Sequence, residues 1–344
     1  MQRDRGRTLT CALAATGLLW CAATADAGPR LDRIRRKGVV TCGILPVVEG
    51  FSWRDTQGRY VGLDVDMCRA LSAAIFGTPD KVAFVQASRV AAFLQSQDID
   101  VVSRRLTWEL RREAPLGLLF GPIMFYDGQG FLVAKTAGAM TARDLSGATI
   151  CVARGTPFET AVGAYFARHH LDLQKVVLES EDDVPAVRTA LETHRCTAYT
   201  ADVSQLGAIR SRMARPQDFD ILAEQITKEP LAQLVRQDDP QFFDILRWTV
   251  SALIEAEELG VTSANVEEMR TSDRVEVQRL LGVLPGNGKA LGLDEHWAYN
   301  VIRTLGNYGE LFEKNIGRGS PIGLDRGLNR LWTDGGVMYA PPLR

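Results

Sequence analysis

The sequence predicts an α/β protein built as two similar lobes around a hinged cleft, and three observations carry that prediction. Short apolar runs alternate with helix-periodic stretches from Val39 to Val102, the order expected of a largely parallel sheet. The alternation restarts at Ala148, after a strand at Phe131–Lys135 that leaves the first set. Leu231 to Arg236 then reads as the chain crossing back. Two lobes joined by two crossings leave a cleft at the strand C-termini. The expected first lobe is 28–131 together with 231–344, the latter including a C-terminal helical extension; the second lobe is 132–230.

The first 27 residues stand outside that fold. Arg3, Arg5 and Arg7 form a basic start, Leu9 to Trp20 is an apolar stretch, and Ala25-Asp26-Ala27 is a small-x-small cleavage site. The apolar stretch is too short to span a bilayer comfortably. A soluble, exported, periplasmic protein cut near Ala27/Gly28 is expected. Cys11 and Cys21 leave with that segment, so Cys42, Cys68, Cys151 and Cys196 remain. An even number in an exported chain argues for two disulfides.

Within the first lobe, Leu31–Lys37 reads as a helix and Val39–Ile44 as a strand. Phe51, Ser52 and Trp53 lie in a loop, Asp55-Thr56-Gln57-Gly58 is turn chemistry, and Tyr60–Leu63 leads into a helix over Asp64–Phe76. Its stripe of Val65, Cys68, Leu71, Ser72 and Ile75 turns Cys68 toward the sheet that carries Cys42. Val82–Val85 is the next strand, Arg89–Ser96 the next helix and Ile99–Val102 the strand after it.

A polar bend follows, and Thr107–Ala114 reads as a helix entered at Thr107, with Glu109 in its first turn. A strand running into a helix N-terminus is a ready anion site, and Arg104, Arg105, Arg111 and Arg112 add positive charge there. Read on composition alone, the same stretch is a solvated basic helix face, with Arg104 and Arg111 pointing to water.

In the second lobe, Ala148–Val152 is a strand. Thr156, Pro157 and Glu159 supply N-cap, N1 and N3 of a capping box opening the next helix. Val176–Leu178, the helix 184–192 and the strand Cys196–Thr200 follow. The strands bearing Cys151 and Cys196 can be neighbours, so of three possible connectivities the layout favours Cys42–Cys68 and Cys151–Cys196. Asp202 stands at a strand end just before a helix, where a plain N-cap role is the ordinary reading. Asp239-Pro240 caps a long helix ending at Gly260.

Composition narrows the function classes. With 46% hydrophobic and 24% charged residues and a formal charge of −2, the chain has no basic run or zinc-finger spacing, and nucleic acid is not an expected partner. Its four histidines fit no HExxH motif, and neither CxxC nor G-x-S-x-G occurs. No metal, cofactor or catalytic residue is expected.

Longer motifs carry a resemblance. Gly50-Phe51-Ser52, Gly62-Leu63-Asp64-Val65-Asp66-Met67-Cys68-Arg69-Ala70, Tyr126-Asp127-Gly128-Gln129-Gly130-Phe131, the run Glu257–Val266, Gly306-Asn307-Tyr308-Gly309-Glu310 and Tyr339-Ala340-Pro341-Pro342 resemble the periplasmic amino-acid-binding proteins of ABC importers, solute-binding protein family 3, general L-amino-acid branch. The likeness runs from Leu31 to Arg344, and all four retained cysteines sit where that branch has them.

The resemblance implies a periplasmic-binding-protein (Venus flytrap) fold and a monomer that closes on an L-amino acid and docks on an inner-membrane ABC permease. It implies that Arg112 clamps the ligand carboxylate, that Thr107 contacts the ligand and that Asp202 holds its ammonium. Phe51 matches an aromatic first-lobe position, where a buried core ring is an equal reading. The branch shows Asn-Thr-Thr-Trp where this chain has Arg105-Leu106-Thr107-Trp108, so a cation replaces an amide. It shows Gly-Thr-Thr-Thr where this chain has Gly155-Thr156-Pro157-Phe158, which leaves Thr156 as a ligand hydroxyl and removes the donors of Pro157. Cyclohexadienyl dehydratases share the fold, so an arogenate dehydratase-like enzyme is one alternative; a receptor presenting ligand to a membrane sensor is the other.

Overall fold

A computed structural model describes residues 28–87, 90–180 and 184–344. The expected export segment, 1–27, lies outside them. Helix α1 (Pro29–Lys37) precedes β1 (Val40–Ile44), whose five residues are all buried. A small ribbon of β2 (Trp53–Arg54) and β3 (Tyr60–Val61) leads to helix α2 (Leu63–Phe76), then β4 (Val82–Gln86), α3 (Val90–Gln95) and β5 (Val101–Val102). After the one-turn helix α4 (Leu110–Glu113) comes the long strand β6 (Leu118–Asp127).

The second set begins one residue later. It contains β7 (Gln129–Ala134), β8 (Thr149–Ala153), α5 (Pro157–Arg168), β9 (Gln174–Leu178), α6 (Val184–Glu192), β10 (Ala198–Asp202), α7 (Val203–Ser211) and β11 (Phe219–Ile221). Strand β12 (Glu229–Arg236) rejoins the first set and α8 (Pro240–Glu258) follows. Asp239 caps α8 as its sequence requires: the side chain accepts from the Phe242 N–H at 2.8 Å.

Two five-stranded sheets result, ordered β4-β1-β5-β12-β6 and β11-β7-β10-β8-β9. The βαβ strands run parallel, while β12 is antiparallel to β5 and β6, and β7 to β10 and β11. Each sheet buries apolar residues on both faces, which is why β1 and β8 read as continuous apolar runs rather than alternating ones. Five short helices after α8 complete the first core, and of these Trp297–Leu305 and Tyr308–Asn315 pack on both α2 and α8.

The two crossings lie side by side. Asp127 pairs in register with Glu229, the Ile226 N–H donates to the Gln129 carbonyl at 2.8 Å, and the Gln129 N–H to Thr227 Oγ1 at 2.9 Å. Gly128 between them leaves no room for a side chain: a Cβ there would sit 2.5 Å from the Thr227 carbonyl oxygen.

Cys42 on β1 is bonded to Cys68 on α2, and Cys151 on β8 to Cys196 just before β10. These bonds close loops of 26 and 45 residues, worth roughly 3–4 kcal/mol each by chain entropy. Alkylating the denatured but unreduced mature protein, from which Cys11 and Cys21 are gone, is therefore expected to label no thiol, and prior reduction to lower the unfolding midpoint. Four labelled cysteines without reductant would refute both bonds.

One expected helix start is wrong, and at another, where Thr156 and Pro157 do stand at N-cap and N1, the expected capping box is not formed. Thr107 is not an N-cap; it pairs with Leu231 in an antiparallel bridge, the Trp108 N–H donates to the Pro230 carbonyl, and the helix spans only Leu110–Glu113. The crossing strand takes the hydrogen bonds that a helix would have used. Nor does Thr156 close a capping box. Its hydroxyl donates to the Ala153 carbonyl at 2.9 Å, and Glu159 accepts from Gly155 and pairs with Lys175 instead.

Candidate functional site

The cleft is assembled where β5 ends. Ser103, fully buried, donates to Asp64 Oδ1 at 3.0 Å, which anchors the bend to the start of α2. Arg105 then adopts a left-handed backbone, φ 54°. Its guanidinium reaches across to the second lobe, where Nη2 meets Asp202 Oδ2 at 3.2 Å; the side chains are 13% and 14% exposed. Its central carbon sits 5.6 Å from the Phe51 ring centre, a cation–π distance. Phe51 is buried and lies edge-on to Phe125 at 5.3 Å. It is thus a core ring and the floor under Arg105 at once.

Arg112 is partly exposed. Its Nη1 donates to the Thr107 carbonyl at 2.9 Å and contacts Glu109 Oε1 at 2.9 Å. The α4 helix is a single turn, so the positive potential expected at a helix N-terminus is absent here; the guanidinium groups supply it instead. Arg104 does not face water as composition suggests. It is half-buried, and burial together with the nearby Arg112 charge lowers its pKa while Asp64 opposes that. Arg111 is exposed.

Thr107 Oγ1 donates to Glu229 Oε2 at 2.9 Å. Burial pushes the Glu229 carboxyl up, the Thr107 hydroxyl pulls it down, and Asp202 pushes it up again. Asp127, at the first crossing, accepts from the hydroxyl and N–H of Ser204 near the start of α7. Burial raises its pKa against the pull of Arg105. The structure thus brings Phe51, Arg105 and Asp202 together, with Thr107 and Arg112 beside them. Thr156 sits half-buried at the start of α5, bonded within its own lobe. Asp64, Asp127 and Glu229 are additions that sequence reading did not single out, although Asp64 and Asp127 fell within quoted motifs; Arg104 was noted, but as a solvent-facing charge.

Asp64 is fully buried, and that burial raises its carboxyl to about 6 against hydrogen bonds from Ser103 and the Arg105 N–H. An unfolded aspartate titrates near 4, so between those values the native state holds more protons and stability falls as pH rises. Above that window the penalty is constant. Asp64→Asn, which keeps an acceptor for Ser103, is expected to stabilise the protein at pH 7 by on the order of 3 kcal/mol. At pH 4 the gain should vanish. Urea unfolding at the two pH values checks this; a loss of stability at pH 7 would contradict it.

Two α/β lobes, a paired crossing and opposed charges across the cleft define a hinged binding protein. The chain belongs to the bacterial extracellular solute-binding proteins, family 3, which it matches over residues 40–265. It is 44% identical to the general L-amino acid-binding periplasmic protein AapJ of Rhizobium johnstonii, over 99% of this chain and 100% of that one. It is 42% identical to the glutamate/glutamine/aspartate/asparagine-binding protein BztA of Rhodobacter capsulatus, over 94% and 95%. A periplasmic binding protein from Brucella ovis, solved with glutathione bound, is 43% identical and superposes with a TM-score of 0.80 over 91% of this chain and 99% of that one. These relatives are named as binding proteins, and the role is that of a solute-binding component rather than an enzyme.

Proposed function

We propose that the protein captures L-amino acids in the periplasm by lobe closure and delivers them to an ABC permease in the inner membrane. The carrying observation is that first-lobe guanidinium groups and the second-lobe carboxylate of Asp202 face each other across the cleft, which suits a zwitterion. Arg112 meets the ligand carboxylate. Its contacts with Thr107 and Glu109 among the described residues both use Nη1, so its other edge is the one for a bidentate bond. Thr107 adds a hydroxyl, Asp202 takes the ammonium, Phe51 floors the pocket, and Thr156 contributes from the second lobe. Arg105 lies between the two ligand charges.

The moving bodies are 28–127 with 230–344 and, against them, 129–225, turning about the crossings at Gly128 and 226–229; the bounds differ by a few residues from the expected 131/132 and 230/231 because β7 starts at Gln129 and β12 at Glu229. The names of AapJ and BztA support an amino-acid ligand. The glutathione in the Brucella ovis structure favours a second reading, a γ-glutamyl peptide, whose glutamyl end carries the same ammonium and carboxylate.

Small-angle scattering with and without a binding amino acid is expected to show compaction on closure. Calorimetry should give a dissociation constant near micromolar, roughly −8 kcal/mol. Unchanged scattering at demonstrated saturation would sink the closure mechanism. Absence of binding across the proteinogenic amino acids, with glutathione bound, would transfer the proposal to the peptide.

A further inference from the structure

We propose that Arg105 makes the site selective for amino-acid ligands that carry a second anionic group. The proposal rests on the assignment of Asp202 to the ligand ammonium. Asp202 Oδ2 is the hydrogen-bond acceptor of the Arg105 guanidinium, at 3.2 Å, and the Arg105 Nε is buried with no acceptor among the described residues. An ammonium arriving at Asp202 therefore competes with a guanidinium already there.

The released guanidinium has few ways out. Its backbone is pinned: the Arg105 N–H bonds Asp64, and the neighbouring Leu106 carbonyl accepts from Ala232. Phe51 lies beneath it. The other carboxylates nearby attract the guanidinium by charge but already accept hydrogen bonds elsewhere: Asp127 from Ser204 and Gly128, Asp64 from Ser103 and the Arg105 N–H, and Glu229 from Thr107 and Thr227. A buried charge stripped of its hydrogen-bonded partner is strongly disfavoured. A ligand that supplies a second carboxylate re-pairs Arg105 through the bare Nε edge, whereas a neutral side chain leaves it unpaired. The shared chemistry is an amino-acid head group followed by an acid, as in glutamate or aspartate.

Calorimetry of the mature protein with L-glutamate, L-glutamine and L-leucine tests this, in the natural sequence and in Arg105→Asn. Asparagine tolerates the left-handed backbone, so the bend is retained; thermal melts of both proteins confirm folding. The natural protein is expected to bind glutamate roughly 30-fold or more tighter than leucine, the factor for losing one partner of a desolvated charge pair. In Arg105→Asn that ratio should fall toward one, with leucine binding strengthened because Arg105 no longer contests Asp202. A preference for glutamate that survives in Arg105→Asn, or equal affinities for all three ligands in the natural protein, would overturn the role of Arg105 while leaving amino-acid binding intact. Binding of none of the three would overturn this inference and count against the amino-acid reading itself.

Discussion

Arg112→Ala is expected to weaken amino-acid binding about 30-fold or more, while Arg111→Ala changes it by less than about threefold. Removing one partner of a desolvated, hydrogen-bonded charge pair costs roughly 2–5 kcal/mol, largely because the ligand carboxylate is left unpaired. Arg112 is partly exposed, which places the expected loss at the lower end of that range. Arg111 points to water, where a surface cation interacts weakly. Arg104 lies between the two cases. Half-buried beside Arg112 and Asp64, it shapes the field at the site, and Arg104→Ala should cost some stability as well as affinity. Titration calorimetry on the three variants, with melting curves alongside, reads both effects. Equal and small losses at all three positions would return the stretch to a basic surface and remove Arg112 from the site.

Elements governed by their own residues were legible. The βαβ order follows from apolar runs and helical stripes, and the start of α8 from Asp239-Pro240, because each depends on neighbours a few residues away. The two misreadings have different causes, one long-range and one local. Thr107 looks like an N-cap locally, but β12, more than a hundred residues on, takes the adjoining backbone hydrogen bonds. Thr156 looks like half of a capping box, but its hydroxyl finds the Ala153 carbonyl first.

The site was legible in part. Arg105 and Asp202 each stood out in sequence, yet their ion pair depends on how two lobes fold around two crossings, which local pattern does not contain. Glu229 lacked any signal, since a single glutamate at a strand start is ordinary; its significance comes from being buried opposite Thr107. Charge counting along the chain placed Arg104 in solvent for the same reason.

Gly62→Ala is expected to damage the core of the first lobe and its cleft together. Gly62 has φ 121° and ψ 170°, a region closed to side-chain-bearing residues. An added Cβ would stand 2.2 Å from the Phe51 carbonyl oxygen. The chain is held that tightly because the first turn of α2 bonds back to the loop: Leu63 N–H to Gly50 and Asp64 N–H to Phe51, each at 2.9 Å. Those bonds seat Phe51 against Phe125 and beneath Arg105, so pushing the loop away disturbs core and cleft together. Backbone strain and lost packing should lower stability by roughly 3 kcal/mol, a fall in melting temperature of roughly 6–12 °C. Gly58→Ala is the control. Gly58 also has a positive φ, 77°, but nothing lies within 4 Å of its would-be Cβ, so about 1 kcal/mol is expected. Calorimetric melts and ligand titrations of both variants separate backbone strain from steric displacement. If Gly62→Ala melts with Gly58→Ala and binds ligand normally, the close approach of the Phe51 loop does not position the cleft.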